Sequence, residues 1–509
     1  MLLAPAATVY APSNSWDVDP LAVYTASVCA LGALAALVGP RWFLPLTYPL
    51  ALFGVIAVGA DLWRQADLFE LMLFSPAVQE ATSALRPYLA AMAASALVLA
   101  SIACAGWLRP VGAPARPLRW LVGVLLLAVL AAIVHWRPAA AMRAWPLNLI
   151  TLGIAQATER PDLIATTLPY AMVDPRDRTA SWGARRAQPG PARETYVLVI
   201  DESVRADRLR ACGGRAGWAA PPDGWLVYCD VLSGSSSTHT SVPLLVSRDL
   251  PGGVTRVSRD ATFLRAFSEA GFHTAWVSVQ ERSIAWPDAD EAHFVGRRGS
   301  DRETLLPPLR ELLARAPDRL VLVIQGYGAH FDYCERLSAA GPRLLALDCA
   351  ARGKLPTAAT RDLWLASYDN AVHESTLFLD ALAGLLEARG GEVFLIATPD
   401  HGENLLDDER GLFQHALTEP TRWDTRVPLW IHANGSWRQR QPERWRRLRD
   451  HARVPAMHAD VVPTLLGAAG IRYQEPRTSV VDLGAAPPPA RTRHVVRRLG
   501  QAVDGDRLP

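Results

Sequence analysis

Four long apolar runs lie in the first 140 residues, at 21–39, 43–60, 88–107 and 120–136, and none contains Asp, Glu, Lys or Arg. Each approaches the ~20 residues that cross a bilayer at 1.5 Å rise per residue. Trp42, Tyr88, Trp107, Trp120 and Trp136 stand at their ends, as an aromatic belt would. Four uncharged runs in succession predict a multi-span helical membrane domain over 1–140 rather than buried helices of a soluble core. Arg41 lies in the first link and Arg109, Arg116 and Arg119 in the third, which turns both toward the cytoplasm. The fourth span then runs outward and delivers everything after residue 136 to the periplasmic side of an inner membrane.

Two further patterns follow. Residues 146–157 are apolar and uncharged and predict an interfacial helix, whereas 174–193 is rich in Pro, Gly and Arg. Together, 141–193 reads as a juxtamembrane helix and linker. From residue 196 onward, short β-branched or aromatic runs (196–200, 274–279, 320–324, 393–397, 427–431) alternate with helical stretches (261–270, 308–316, 362–389, 460–469). That alternation predicts an α/β domain over 194–485 around a largely parallel sheet, followed by a tail at 486–509.

Composition sharpens this division. The 509 residues include 52 basic and 50 acidic side chains, a balance that excludes a nucleic-acid binder held by bulk charge. Charged residues make up 20%, low for a soluble protein and high for a chain that is all membrane, as two unlike halves would give. The distal half holds Cys212, Cys229, Cys334 and Cys349, which suit two local disulfides, 212 with 229 and 334 with 349, in an oxidising periplasm; sequence alone leaves the connectivity open. No C-x-x-C occurs, so a thiolate zinc site is not indicated.

In such sheets chemistry gathers beyond the carboxyl ends of the strands. Asp201, Glu202, Ser203 and Arg205 follow the first run; Gln325 through His330 follow the third; Asp400, His401, Gly402 and Glu403 follow the fourth, with His415 further on. Between them lies the polar stretch 233–241, Ser-Gly-Ser-Ser-Ser-Thr-His-Thr-Ser, then Val242 and Pro243. Singly, an acid after a strand is a helix cap and a Ser/Thr run is a loop. Their order and shared placement point instead to one site.

Taken together, Val199-Ile-Asp-Glu-Ser-Val-Arg205, the 233–243 stretch, 325–330, Tyr368-Asp-Asn370 and Asp400-His-Gly-Glu403 resemble the lipid A-type phosphoethanolamine transferases of the alkaline phosphatase and sulfatase superfamily, a group that includes the mobile colistin-resistance enzymes. The resemblance implies an N-terminal membrane bundle and a periplasmic α/β domain of sulfatase type. It implies Thr238 as nucleophile, Glu202, Asp400 and His401 as ligands of Zn2+ with Thr238 at the open position, and room for a second metal. His330 and His415 match the histidines beside the transferred phosphoryl group, where they bind substrate and move protons. The implied donor is phosphatidylethanolamine, and the implied acceptor is lipid A or another envelope glycan.

This sequence departs from the family pattern in places. Asp201 stands where Gly is common, Gly234 and Leu244 occupy positions usually joined by a disulfide, and four spans are counted where many members have five. A sulfatase on the same fold needs Arg where Leu245 stands. A phosphoglycerol transferase would share the threonine and metal, and a silent membrane scaffold would not need Glu202, Thr238, Asp400 and His401 intact.

Overall fold

The computed structural model describes residues 121, 124–129, 131–132 and 181–509, except 249–260, 281–287, 296–298, 340, 347–348, 353, 355, 416–418, 475–479 and 498–501. The chain divides into two compact units, Met1–Ala171 and Met172–Pro509. In the first unit, the expected spans at 21–39, 43–60 and 88–107 and the expected interfacial helix at 146–157 lie outside the described residues. Of the fourth, the described residues are helical. Leu121, Val124, Leu125, Leu127 and Val129 are the large hydrophobic side chains found exposed among the described residues. Among those same residues, no helix is long and apolar enough to cross a membrane.

The second unit is built on strands β1 (Arg185–Arg186), β2 (Glu194–Asp201), β3 (Trp225–Leu232), β4 (His273–Ser278), β5 (Glu291–Phe294), β6 (Arg319–Gln325), β7 (Glu392–Pro399), β8 (Asn404–Leu405), β9 (Phe413–Gln414), β10 (Arg426–Ala433), β11 (Ala456–Met457), β12 (Ile471–Arg472), β13 (His494–Val496) and β14 (Ala502–Asp504). Its main helices are α1 (Thr238–Val246), α2 (Leu264–Glu269), α3 (Asp301–Arg315), α4 (Arg361–Ala388), α5 (Arg422–Thr425), α6 (Gly435–Arg440), α7 (Pro442–Asp450) and α8 (Val461–Ala468).

Eight strands form one sheet in the order β11-β3-β10-β7-β2-β6-β4-β5. Only β10 runs against its neighbours; the other pairings are parallel. Central β2 is buried along its whole length because helices cover both faces. Its side chains alternate between two cores: Tyr196, Leu198 and Ile200 enter one with Phe263, Phe267 and Leu465, while Val197 and Val199 enter the other with Leu309, Leu379 and Leu382. The register sets Ile200 beside both Gln325 and Thr398, and Asp201 beside Pro399. Three strands therefore end at one level, and the residues that follow them share one rim.

All five expected strand runs are present, and the four expected helices are α2, α3, α4 and α8; α3 begins at Asp301, seven residues before the expected start, and the other ends agree within three residues. Other features differ from the sequence reading. Part of the stretch read as linker is packed: Trp182 is fully buried, and β1 pairs with β12. The stretch read as a tail carries the β13–β14 hairpin. The polar stretch at 233–241 ends in a helix, α1, which begins at Thr238. Pro243 sits inside α1, where it removes one amide donor without ending a helix whose apolar residues are buried. Both disulfides are present with the expected partners, Cys212 with Cys229 and Cys334 with Cys349. In the Arg- and Trp-rich stretch 437–453, Trp437 and Trp445 point into the core, and Arg438, Arg440, Arg444 and Arg446 are ion-paired.

Candidate active site

Thr238 opens α1 directly beneath the rim formed by β2 and β7. Its Oγ1 lies 3.1 Å from Glu202 Oε1 and 3.0 Å from His401 Nε2. The same Nε2 lies 3.1 Å from Glu202 Oε1 and 3.4 Å from Asp400 Oδ2. Glu202, Thr238, Asp400 and His401 are all buried. The structure thus gathers the four residues that the resemblance singled out as nucleophile and ligands.

Each is held by its own surroundings. The Asp400 amide donates to the Asp201 carbonyl across the strand ends, at 3.0 Å. Asp400 Oδ1 accepts the His401 amide at 2.8 Å. His401 Nδ1 donates to the Gly402 carbonyl at 2.8 Å, which turns Nε2 toward the two carboxylates. Behind Glu202, the Gln280 amide donates to Oε2 and to the Gly326 carbonyl. Ser203, at φ +59°, turns the chain sharply, and Tyr368 fixes that turn by donating to the Ser203 carbonyl at 2.6 Å and accepting the Arg205 amide at 2.9 Å.

A second group adjoins the first. Glu202, His330 and His415 present ligand atoms close enough to share an ion, as do Glu202, Asp400 and His401. The His415 ring lies 4.0 Å from that of His401 and 5.5 Å from that of His330. His415 Nδ1 contacts Glu403 Oε2 at 2.8 Å, and Tyr333 donates to Glu403 Oε1 at 2.9 Å.

The donor set fits a divalent cation. Two buried carboxylates, an imidazole nitrogen and a hydroxyl converge, a set in which acceptor atoms outnumber protons. Asp400 Oδ2 is buried with no hydrogen-bond partner among the described residues. Without a cation the cluster satisfies itself by charge shifts. Burial, reinforced by the Glu202 charge, pushes Asp400 up to about 7. Burial alone would lower His401, but Asp400 and Glu202 outweigh it and push its pKa up to about 10, so an imidazolium fills the cation's role. Burial likewise opposes the charged form of Glu202, yet contact with His401 holds it well below the usual carboxylate range. Glutamate, aspartate and histidine with one exchangeable position are ligands that zinc accepts.

Several residues that support this cluster carry no mark in sequence. Gln280, Tyr333 and His458 are an amide, a phenol and an imidazole outside any motif. Tyr368-Asp-Asn370 acts as scaffolding: Asp369 pairs with Arg208 at 2.7 Å, and Asn370 bonds both backbone groups of Leu345.

An α/β sheet that brings these groups to one rim defines a protein of the alkaline phosphatase and sulfatase superfamily. Residues 194–471, more than half of the chain, match the family described as Sulfatase, and the chain belongs to that family. In sequence it is similar to the protein YhbX of Escherichia coli (strain K12), 26% identical over 299 residues that cover 56% of this chain and 49% of that one. It is also similar to phosphoethanolamine transferase OpgE of the same organism, 32% identical over 165 residues, 29% of this chain and 30% of that one. The chain thus spans about half the length, or less, of the curated relatives it matches.

Among solved structures, it is similar to the integral membrane lipooligosaccharide phosphoethanolamine transferase A (EptA) from Neisseria meningitidis, with TM-score 0.59 and 19% identity, over 92% of this chain and 93% of that one. It is also similar to the zinc complex of the C-terminal periplasmic domain of EcEptC from Escherichia coli, with TM-score 0.53 and 17% identity, over 65% of this chain and 97% of that one. At these identities the likeness concerns the fold.

Proposed function

We propose that this protein is a membrane-anchored, periplasm-facing transferase that moves phosphoethanolamine from phosphatidylethanolamine, through a Thr238 intermediate, to lipid A or another envelope glycan. The observation that carries the reading is the position of Thr238 Oγ1, 3.1 Å from Glu202 and 3.0 Å from His401 in a buried cluster suited to a cation. The similarity to relatives named as phosphoethanolamine transferases supports the transferred group. The uncharged runs at 21–39, 43–60, 88–107 and 120–136 support the anchor, and the two disulfides support an oxidising compartment.

Glu202, Asp400 and His401 would hold zinc, with Thr238 beside it; a bound zinc supplies Lewis-acid stabilisation of negative charge on oxygen. The chain's own groups do the rest. Thr238 Oγ1 forms a bond to the donor phosphorus as the bond from phosphorus to the diacylglycerol oxygen breaks. The threonine proton has acceptors in Glu202 and His401. In this reading His330 and His415 give a proton to the leaving diacylglycerol oxygen and later take one from the acceptor hydroxyl. That hydroxyl then displaces Thr238 from phosphorus and restores its O–H. Confining both lipid substrates and the enzyme to one bilayer raises their effective concentration.

The test is diacylglycerol release from vesicles of phosphatidylethanolamine or phosphatidylglycerol by the full-length, zinc-loaded protein. Release from the first alone is expected. Release only from the second makes the protein a phosphoglycerol transferase, and release from neither removes the reading.

A further inference from the structure

Thr238 depends on a segment that is irregular throughout. Between β3 and α1, residues 233–237 form no strand or helix beyond one bridge, yet Ser233, Gly234, Ser235, Ser236 and Ser237 are all buried. Holding such a backbone in one conformation costs conformational entropy that contacts must offset. The segment's own bond, from Ser233 Oγ to the Ser235 carbonyl at 2.8 Å, ties it only to itself. The Cys212–Cys229 disulfide joins a short helical turn to β3 and does not reach it.

The ties come from elsewhere. The Ser233 amide donates to the Thr425 carbonyl at 2.9 Å, and the Gly234 amide donates to His458 Nδ1 at 3.3 Å. The Gly234 carbonyl accepts the Val496 amide at 2.8 Å, and Ser235 bridges Val496 in parallel register. Val496 ends β13, which β14 pairs in antiparallel. This hairpin is anchored beneath the segment: Val495 packs with Leu232 and Met457, and buried Arg493 donates to the carbonyls of Asp230 at 3.2 Å and Ala456 at 3.1 Å.

The same C-terminal piece reaches the other side of the site. The Pro509 carbonyl accepts the Arg422 amide at 3.0 Å at the start of α5. The next residues of α5 receive the backbone beyond His401, Trp423 from the Glu403 amide at 3.1 Å and Asp424 from the Gly402 amide at 2.9 Å.

We infer that residues 493–497 and 502–509 form a strap that positions the Thr238 segment against the Asp400–His401 loop, with Arg493 and Val496 as positioning residues. The inference rests on the proposed nucleophilic role of Thr238. Its mechanical content is independent: releasing Val496 frees residues 233–237, and a second tie across that segment replaces the strap. Such a tie is available. A β-carbon built on Gly234 would stand 3.4 Å from that of Leu244, close to the separation of disulfide-bonded cysteines, about 3.5–4.5 Å.

The experiment uses the full-length protein in lipid nanodiscs. Val496→Pro removes the amide donor to Gly234, Val496→Ala keeps it, and a third variant adds Gly234→Cys and Leu244→Cys to Val496→Pro. Hydrogen exchange of the 233–241 peptide and the kinetics of phosphoethanolamine transfer are measured for each. For Val496→Pro, exchange in that peptide rises and kcat falls, both about tenfold or more, while KM stays within about threefold. Val496→Ala behaves as wild type. The oxidised triple variant recovers slow exchange and kcat, and mild reduction abolishes the recovery without affecting wild type; a merely misfolded hairpin would not respond to the cross-link.

The strap is overturned if Val496→Pro leaves exchange at 233–241 unchanged, or if the cross-link forms and restores neither quantity. Should wild type itself transfer nothing, the proposed function fails, and the exchange measurements alone decide for or against the strap.

Discussion

Gly328 makes room for Asp201. A β-carbon at Gly328 would overlap the Asp201 carboxylate and stand 2.7 Å from the Glu202 carbonyl oxygen, and the backbone there has φ +44°. The aspartate that replaces a common family glycine is therefore accommodated by a glycine on the neighbouring loop. Gly328→Ala should destabilise the protein by about 2–4 kcal/mol through overlap and backbone strain. Adding Asp201→Gly should return at least ~1 kcal/mol of that, a coupling that thermal unfolding of the two single variants and the double variant measures directly.

Metal removal should be felt as a loss of stability. A cation bound only to the folded state adds about 2.7 kcal/mol when present at a hundred times its Kd. Chelation should lower the unfolding temperature of wild type, zinc should restore it, and Asp400→Asn should respond to neither. Binding needs Asp400 ionised and His401 neutral, and in the metal-free cluster their pKa values are pushed up to about 7 and about 10. Zinc affinity should therefore weaken as pH falls below about 10, and more steeply below about 7, with protons released on binding. Titration calorimetry in buffers of different ionisation enthalpy reads both effects.

His458 predicts a pH dependence of stability. Its Nδ1 accepts the Gly234 amide, and burial, aided by the nearby His401 charge, pushes its pKa down to about 3. Unfolded, the imidazole binds a proton near the ordinary value of about 6.5. Between those values the unfolded chain holds the extra proton, so this contribution is present above 6.5 and is lost as pH falls toward 3. His458→Asn should be less stable than wild type at pH 7. The gap should shrink by about 2 kcal/mol over the two pH units below 6.5, as denaturation series of both proteins would show.

Much of the catalytic rim was legible in the sequence because buried parallel strands are written as unbroken apolar runs. The runs at 196–200, 320–324 and 393–397 announce β2, β6 and β7, and the polar residues after them are those that meet. β3 was missed because Cys229 and Asp230 interrupt a strand that is only half buried. α1 was masked by its serines and by Pro243, whose cost is offset by the burial of Val242, Leu245 and Val246. Gln280 and Tyr333 act through contacts made in three dimensions, which no spacing along the chain encodes. The hairpin at 494–504 is too short, and too closely flanked by arginines, to stand out as a pair of strands.

Tyr333 provides a test of the second histidine group. Through Glu403 it fixes the orientation of His415, and its phenol is kept protonated by burial and by the Glu403 charge. Tyr333→Phe removes one hydrogen bond and should cost about 1 kcal/mol of stability while leaving the aromatic packing in place. Transfer should slow about tenfold in kcat with KM little changed, because His415 loses its alignment rather than its contact surface. Steady-state kinetics with vesicle substrate separates the two parameters.

The central claim is that the hydroxyl beside Glu202 and His401 becomes covalently loaded with phosphoethanolamine. Peptide mass spectrometry of the zinc-loaded protein, quenched in acid after incubation with phosphatidylethanolamine and without acceptor, tests it most directly. The predicted result is a phosphoethanolamine group on Thr238 that is absent from Thr238→Ala and from chelated protein. An unmodified Thr238 in a preparation that nevertheless releases diacylglycerol, or the group on any other residue, would contradict it.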